Sequence, residues 1–95
     1  GYVLTALIFL QVEGPYIVDV ENEVAEISDV AAVYDITGEF DVAILARFRS
    51  QVSMNRFIKN TLKIPHIRRS VTSVVLNIVK EEPRMMIQGV ATMSN

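Results

Sequence analysis

The chain has no cysteine, which removes disulfide scaffolds, zinc ribbons, iron–sulfur clusters and thiol catalysis together. A single histidine, His66, leaves no multi-histidine metal site. The four glycines (Gly1, Gly14, Gly38 and Gly89) are too dispersed to make a dinucleotide fingerprint or a phosphate-binding loop. No cofactor is therefore expected. Long apolar runs are missing as well. The longest charge-free stretch, Gly1 to Val12, is well short of the roughly 20 residues a membrane span needs. It also lacks the basic start of a signal peptide. No membrane contact and a cytoplasmic location are the default expectations.

Basic residues are absent from the first 41 positions, which hold nine acidic side chains; residues 42 to 95 hold nine basic and two acidic ones. A basic half can signal nucleic acid. Here the net charge is −2 and the seven aromatics are scattered, so neither a base-stacking platform nor autonomous DNA binding is expected. The simpler reading is one fold in which the halves interleave and a negative helix lies beside a positive one.

What the chain does have is apolar material. Of its 95 residues, 51% are hydrophobic and 21% charged, with a mean hydropathy of +0.33. That excludes disorder and exceeds what a small monomer needs, which points to burial against other subunits.

The order of elements follows from periodicity. Val3 to Val12 reads as a strand, stopped by Gly14-Pro15. From Tyr16 to Ser28, Ile17, Val20, Val24 and Ile27 recur at helical spacing, with Asp19, Glu21, Glu23 and Glu26 mostly opposite. Val30 to Thr37 and Asp41 to Arg49 are two further strands. The link between them, Gly38-Glu39-Phe40, suits a tight hairpin because glycine accepts positive φ at little cost. Ser50 is a good N-cap for a second helix carrying Met54, Phe57, Ile58 and Leu62 inward; Pro65 ends it. Ile67 to Lys80 is the last strand. The order βαββαβ predicts an α+β, ferredoxin-like fold: an antiparallel four-stranded sheet with two helices on one face. Residues 1–82 form this domain, and 83–95 a tail.

Strands one, three and four are apolar on both sides: Leu7 and Phe9 oppose Ala6, Ile8 and Leu10, and Ala43 and Leu45 oppose Val42 and Ile44. Two apolar faces need two covers, and the chain supplies one. A second subunit is expected on the other. The tail, with Met85, Met86, Ile87, Val90 and Met93, is expected to dock on a neighbouring subunit.

Chemistry is sparse. His66 has a weak claim as a lone general base. Asp35, Glu39 and Asp41 crowd one hairpin, which fits either hard oxygen ligands for a cation or, more simply, solvated carboxylates at a turn. No catalytic residue and no metal site are assigned.

One segment stands apart, Val33-Tyr-Asp-Ile-Thr-Gly-Glu-Phe-Asp-Val42. It resembles the hallmark of the effector-binding (RAM) domain of the Lrp/AsnC transcriptional regulators: a strand, then T-G-x-[YF]-D, then an apolar strand. The likeness runs over residues 3 to 80. It takes in "DVAAVY", "MNRFIKNTLKIP" and the closing "RRSVTSVVLNIVK" with its central threonine. Three departures are His66, where the family usually has glycine, the lack of the family's DNA-binding domain, which gives the appearance of a stand-alone form, and the tail after Lys80, which the family pattern does not cover.

The resemblance implies sheet-to-sheet dimers of the dimeric α+β-barrel type. It further implies assembly into octamer or decamer rings, with small effectors, typically amino acids, bound between dimers. The matching effector positions are Gly38, Glu39, Phe40, Asp41 and Thr72. Gly38 would let a ligand carboxylate reach backbone N–H groups, Asp41 would accept from an ammonium and Thr72 would add a hydroxyl. A purely structural role stays equally open, with Gly38 only making the turn and Asp41 only capping it. The implied function is amino-acid sensing that modulates transcription by joining, or competing with, a full-length Lrp/AsnC regulator. The alternative is a small cofactor-independent oxygenase or isomerase using His66.

Overall fold

In a computed structural model that describes residues 4–82, the chain folds as β1 (Leu4–Val12), a 3-10 turn (Gly14–Tyr16), α1 (Ile17–Ala25), β2 (Val30–Asp35), β3 (Val42–Phe48), α2 (Gln51–Leu62) and β4 (Ile67–Val74). The four strands form one antiparallel sheet in the order β2-β3-β1-β4. The predicted ferredoxin-like arrangement is therefore the observed one. The expected docking of the tail falls on residues 83–95 and lies outside the described residues.

Alternation fixes the layers. Ala6, Ile8, Leu10 and Val12 of β1 and Val42, Ile44, Ala46 and Phe48 of β3 are buried, and they share one core with Val20 and Val24 of α1 and Met54 and Phe57 of α2. Both helices thus cover the same sheet face. Pro15 sits in the 3-10 turn, where its fixed φ favours helix initiation and its missing N–H goes unneeded. Ser50 caps α2 as expected: its Oγ accepts from the Ser53 N–H at 3.1 Å, and the Ser53 hydroxyl returns the contact to the Ser50 backbone.

The first helix is shorter than the expected Tyr16–Ser28, and two further differences are larger. The apolar alternation predicts β4 through Lys80, yet the strand ends at Val74. The register puts Val74 opposite Ala6, and one further bond runs from Val75 N–H to the Thr5 carbonyl at 2.8 Å. No further β1–β4 pairing follows among the described residues, and Leu76 and Val79 stand 96% and 92% exposed. The β2–β3 link is also longer than a tight hairpin. It spans residues 36–41 and is closed by Ile36 N–H donating to the Asp41 carbonyl at 3.0 Å.

The two helices carry opposite charge, as expected, but the charges do not meet. No ion pair among the described residues joins α1 to α2. The acidic helix instead meets the end of β2. Burial pushes the Glu21 carboxyl above its ordinary value of 4.5, and the neighbouring Asp35 carboxylate adds repulsion and a hydrogen bond to the protonated form. The folded state therefore keeps this proton to a higher pH than the unfolded chain does. Stability contributed by this group is present at low pH and lost as pH rises through the raised folded value. Glu21→Gln should melt higher than the parent at neutral pH, the gap closing as the pH falls to the ordinary carboxylate range. Equal melting temperatures across that range in circular dichroism would refute it.

Candidate functional site

The side of the sheet away from the helices presents Leu7 and Phe9 of β1, Ala43 and Leu45 of β3, Tyr34 of β2 and Val71 of β4, because each is paired across the ladder with another member of the set. Leu7, Val71 and Tyr34 remain 37%, 37% and 48% exposed. One face is thus open and apolar at its centre.

Its two ends differ. Near the start of β1, the segment after β4 overhangs Leu7, Leu45 and Val75 to leave a cleft of about 670 Å³. There Arg47 Nη2 meets Glu81 Oε1 at 3.3 Å. At the opposite end lies the β2–β3 link. Gly38 has φ +111°, and a Cβ built on it would meet nothing within 4 Å. Conformation rather than space requires glycine here. Glu39 follows, its carboxylate taking Arg69 Nη1 of β4 at 2.6 Å and its carbonyl accepting from Gln11 Nε2 at 3.2 Å. Phe40 tilts against Phe9 with centroids 5.9 Å apart, and the Arg69 guanidinium lies 5.3 Å from the Phe40 ring centre. A fixed anion, a fixed cation, two aromatic rings and an unobstructed stretch of backbone therefore meet at one corner.

The predicted residues separate here. Gly38, Glu39 and Phe40 belong to this corner. The Asp41 carboxylate accepts from the Val12 N–H at 2.8 Å, while its own N–H donates to the Leu10 carbonyl at 2.9 Å. This ties the link to the end of β1, where the β1–β4 register shifts between Gln11 and Val12. Of the two roles open for Asp41, backbone capping is the one visible in the fold. Thr72 pairs with the buried Ile8, so it faces the helices, across the sheet from Phe40 and Arg69. Arg69 and Gln11 escaped the sequence reading, and Phe9 was expected only as part of the apolar sheet face. Alternation along β4 could have put Arg69 on the Val71 face, but its position opposite Gln11 depends on register. The three crowded carboxylates turn to three different partners: Asp35 to Glu21, Glu39 to Arg69 and Asp41 to Val12. No group of three metal-binding side chains converges among the described residues.

His66 forms a second cluster, on the helix side. It is the one described non-glycine residue with positive φ, +76°. This explains the glycine that the family pattern leads one to expect there. The ring stacks on Tyr16 with centroids 3.5 Å apart and planes 4° from parallel, and Nδ1 lies 2.8 Å from Glu13 Oε2. The His66 carbonyl also accepts from the Glu13 N–H at 3.0 Å. These contacts hold a backbone conformation that costs an L-residue about 1–2 kcal/mol. His66→Ala keeps that cost and loses the ring, whereas His66→Gly relieves it. The alanine variant should be the less stable of the two by about 1 kcal/mol in urea unfolding. Equal stabilities would show that the backbone there relaxes freely.

Comparison with known proteins gives the class. The family model described as the Lrp/AsnC ligand binding domain matches residues 5–85. An uncharacterized HTH-type transcriptional regulator of Pyrococcus horikoshii is 44% identical over 85 residues, which are 90% of this chain and 57% of that protein. The chain thus spans a little over half the length of such relatives. Among solved structures, AsnC of E. coli superposes with a TM-score of 0.80 at 19% identity, over 86% of this chain and 56% of that one. A transcriptional regulator of Neisseria meningitidis, solved as a complex with L-Met, gives 0.77 at 23% identity over 84% and 54%. These two likenesses are of fold.

The chain belongs to the Lrp/AsnC family, as a ligand-binding domain. The family is one of transcriptional regulators, not of enzymes, so the oxygenase or isomerase alternative falls. Among the described residues no helix is long and apolar enough to cross a membrane.

Proposed function

We propose that this domain senses an amino acid at the corner formed by Gly38, Glu39, Phe40 and Arg69. It would pass the signal through assembly with further copies of itself, joining or competing with full-length Lrp/AsnC-type regulators. The observation that carries this reading is the Glu39–Arg69 pair beside Phe40 and Phe9. A free amino acid is a zwitterion with a side chain. Arg69 matches its carboxylate in a planar, two-pronged way, Glu39 matches its ammonium and the two rings match an apolar side chain. The open backbone at Gly38 adds N–H donors. Asp41 supports the corner by holding the link to β1. Thr72 lies outside this group within one chain. The L-Met complex of the Neisseria regulator supports the ligand class.

Such a ligand alters transcription only through its different affinity for two assembly states. Calorimetric titration with a panel of amino acids, beginning with L-methionine, tests the reading. Binding should be present in the parent and retained in Asp41→Asn, whose amide oxygen still accepts from Val12. It should be lost in Arg69→Gln and Glu39→Gln. Undiminished binding in both of the latter variants would place the effector elsewhere.

A further inference from the structure

The helix layer also carries an unmatched pattern. Residues 13 to 29 contain six acidic side chains and no basic one, whereas residues 51 to 64 contain three basic and no acidic. On α1 and its C-cap, Asp19, Glu23 and Glu26 are all exposed and fall at i, i+4 and i+7, one stripe on the helix. On α2 and its C-cap, Arg56, Lys59 and Lys63 are exposed at i, i+3 and i+7, another single stripe. None of these six charges has an ion-pair partner among the described residues. Glu26 is moreover an acid at a helix C-terminus whose last turn holds no base, where the helix dipole calls for a cation. Beside the charges stand Val18, Val52 and Leu62, exposed at 64%, 66% and 55%.

We infer that this layer docks on the same layer of a second copy, with α1 of each chain lying antiparallel on α2 of the other. The spacings require that direction. Read backwards, Lys63, Lys59 and Arg56 are separated by the same steps of four and three as Asp19, Glu23 and Glu26. Three pairs then form over about 10 Å of helix: Asp19 with Lys63, Glu23 with Lys59, and Glu26 with Arg56. The fold permits both contacts at once. β1 and β3 are antiparallel and each is followed by its helix, so α1 and α2 run in opposite directions within one chain. A two-fold axis along the helices therefore lays each α1 on the other copy's α2, antiparallel, in one self-complementary interface. This is why the occupant is a second copy: one set of steps serves both stripes. The pairs lie at the surface, so they set orientation and partner choice more than affinity, and they respond to salt.

The test is sedimentation velocity or native mass spectrometry of the parent, Glu23→Lys, Lys59→Glu and the double variant. Circular dichroism serves as a check that these exposed helix positions still fold. The parent should show a species of doubled mass at an ionic strength of about 0.01 M, lost at about 1 M as the Debye length shrinks from roughly 30 to 3 Å. Each single reversal should weaken this association by about a hundredfold, since like charges then face each other twice. The double reversal should restore it. Single variants that associate like the parent, or a folded double variant that does not recover, overturn the inference. So does an outcome in which only Lys59→Glu has an effect, and that effect is loss of DNA retention at low salt. The contact uses neither the hairpin corner nor the open sheet face, so amino-acid titrations bear on it in no way.

Discussion

Leu7→Lys should dissociate the parent assembly to a species with half its subunits. Leu7 lies on β1, between Leu45 of β3 and Ser73 of β4 on the open side of the sheet, and remains 37% exposed. Isolated exposed leucines are unremarkable, but here Phe9, Leu45, Val71 and Tyr34 extend the same surface. In the sheet-to-sheet contact that the resemblance implies, a second copy would bury Leu7 near the middle. A buried anchor is worth about 2 kcal/mol or more, and a two-fold axis repeats the change. The combined loss of about 4 kcal/mol corresponds to roughly a thousandfold in dissociation constant. Sedimentation equilibrium across a concentration series measures it. A parent protein that stays monomeric at all micromolar concentrations would remove the premise.

The largest effect on folding should come from Phe48→Ala. Phe48 closes β3, is fully buried and packs against Phe57 of α2 with ring centroids 5.3 Å apart. It joins the sheet to a helix that also reaches the core through Met54 and, half-buried, Ile58. Truncating a buried phenylalanine costs about 3–5 kcal/mol, part transfer and part cavity. Whole domains of this size have only about 5–15 kcal/mol. The urea midpoint should fall steeply with little change in slope. A loss below about 1 kcal/mol would mean that the helix collapses into the space.

Most of the fold was legible because its signals are local. Strand alternation, the Gly14-Pro15 stop, the Ser50 cap and the helical recurrence of Val20 and Val24 each act within a few residues. The end of β4 was not legible, since Leu76 and Val79 continue the apolar pattern past Val74, the last residue of the strand. The candidate site divides in the same way. Gly38, Glu39 and Phe40 stood out as a motif. Arg69 lies 30 residues further along the chain and reaches Glu39 only through the β1–β4 register. Thr72 was drawn from a family pattern, and its parity with Ile8 puts it on the helix side. His66 shows the converse. A departure from the expected glycine marked the position, and φ +76° gives the reason.

The sheet's margins decide how copies of this chain can meet. An open strand is a template for further strands, and proteins blunt such margins with short strands, irregularities and charge. β2, one margin, is six residues long, with a register shift between Val30 and Ala32 and Asp35 at its end. β4, the other, exposes Arg68 and Arg69. Backbone-to-backbone extension from one molecule to the next is discouraged at both. Contact is left to the faces, where side-chain shape and charge select the partner, so growth by strand addition toward fibres is disfavoured even though the chain is rich in β-forming apolar residues.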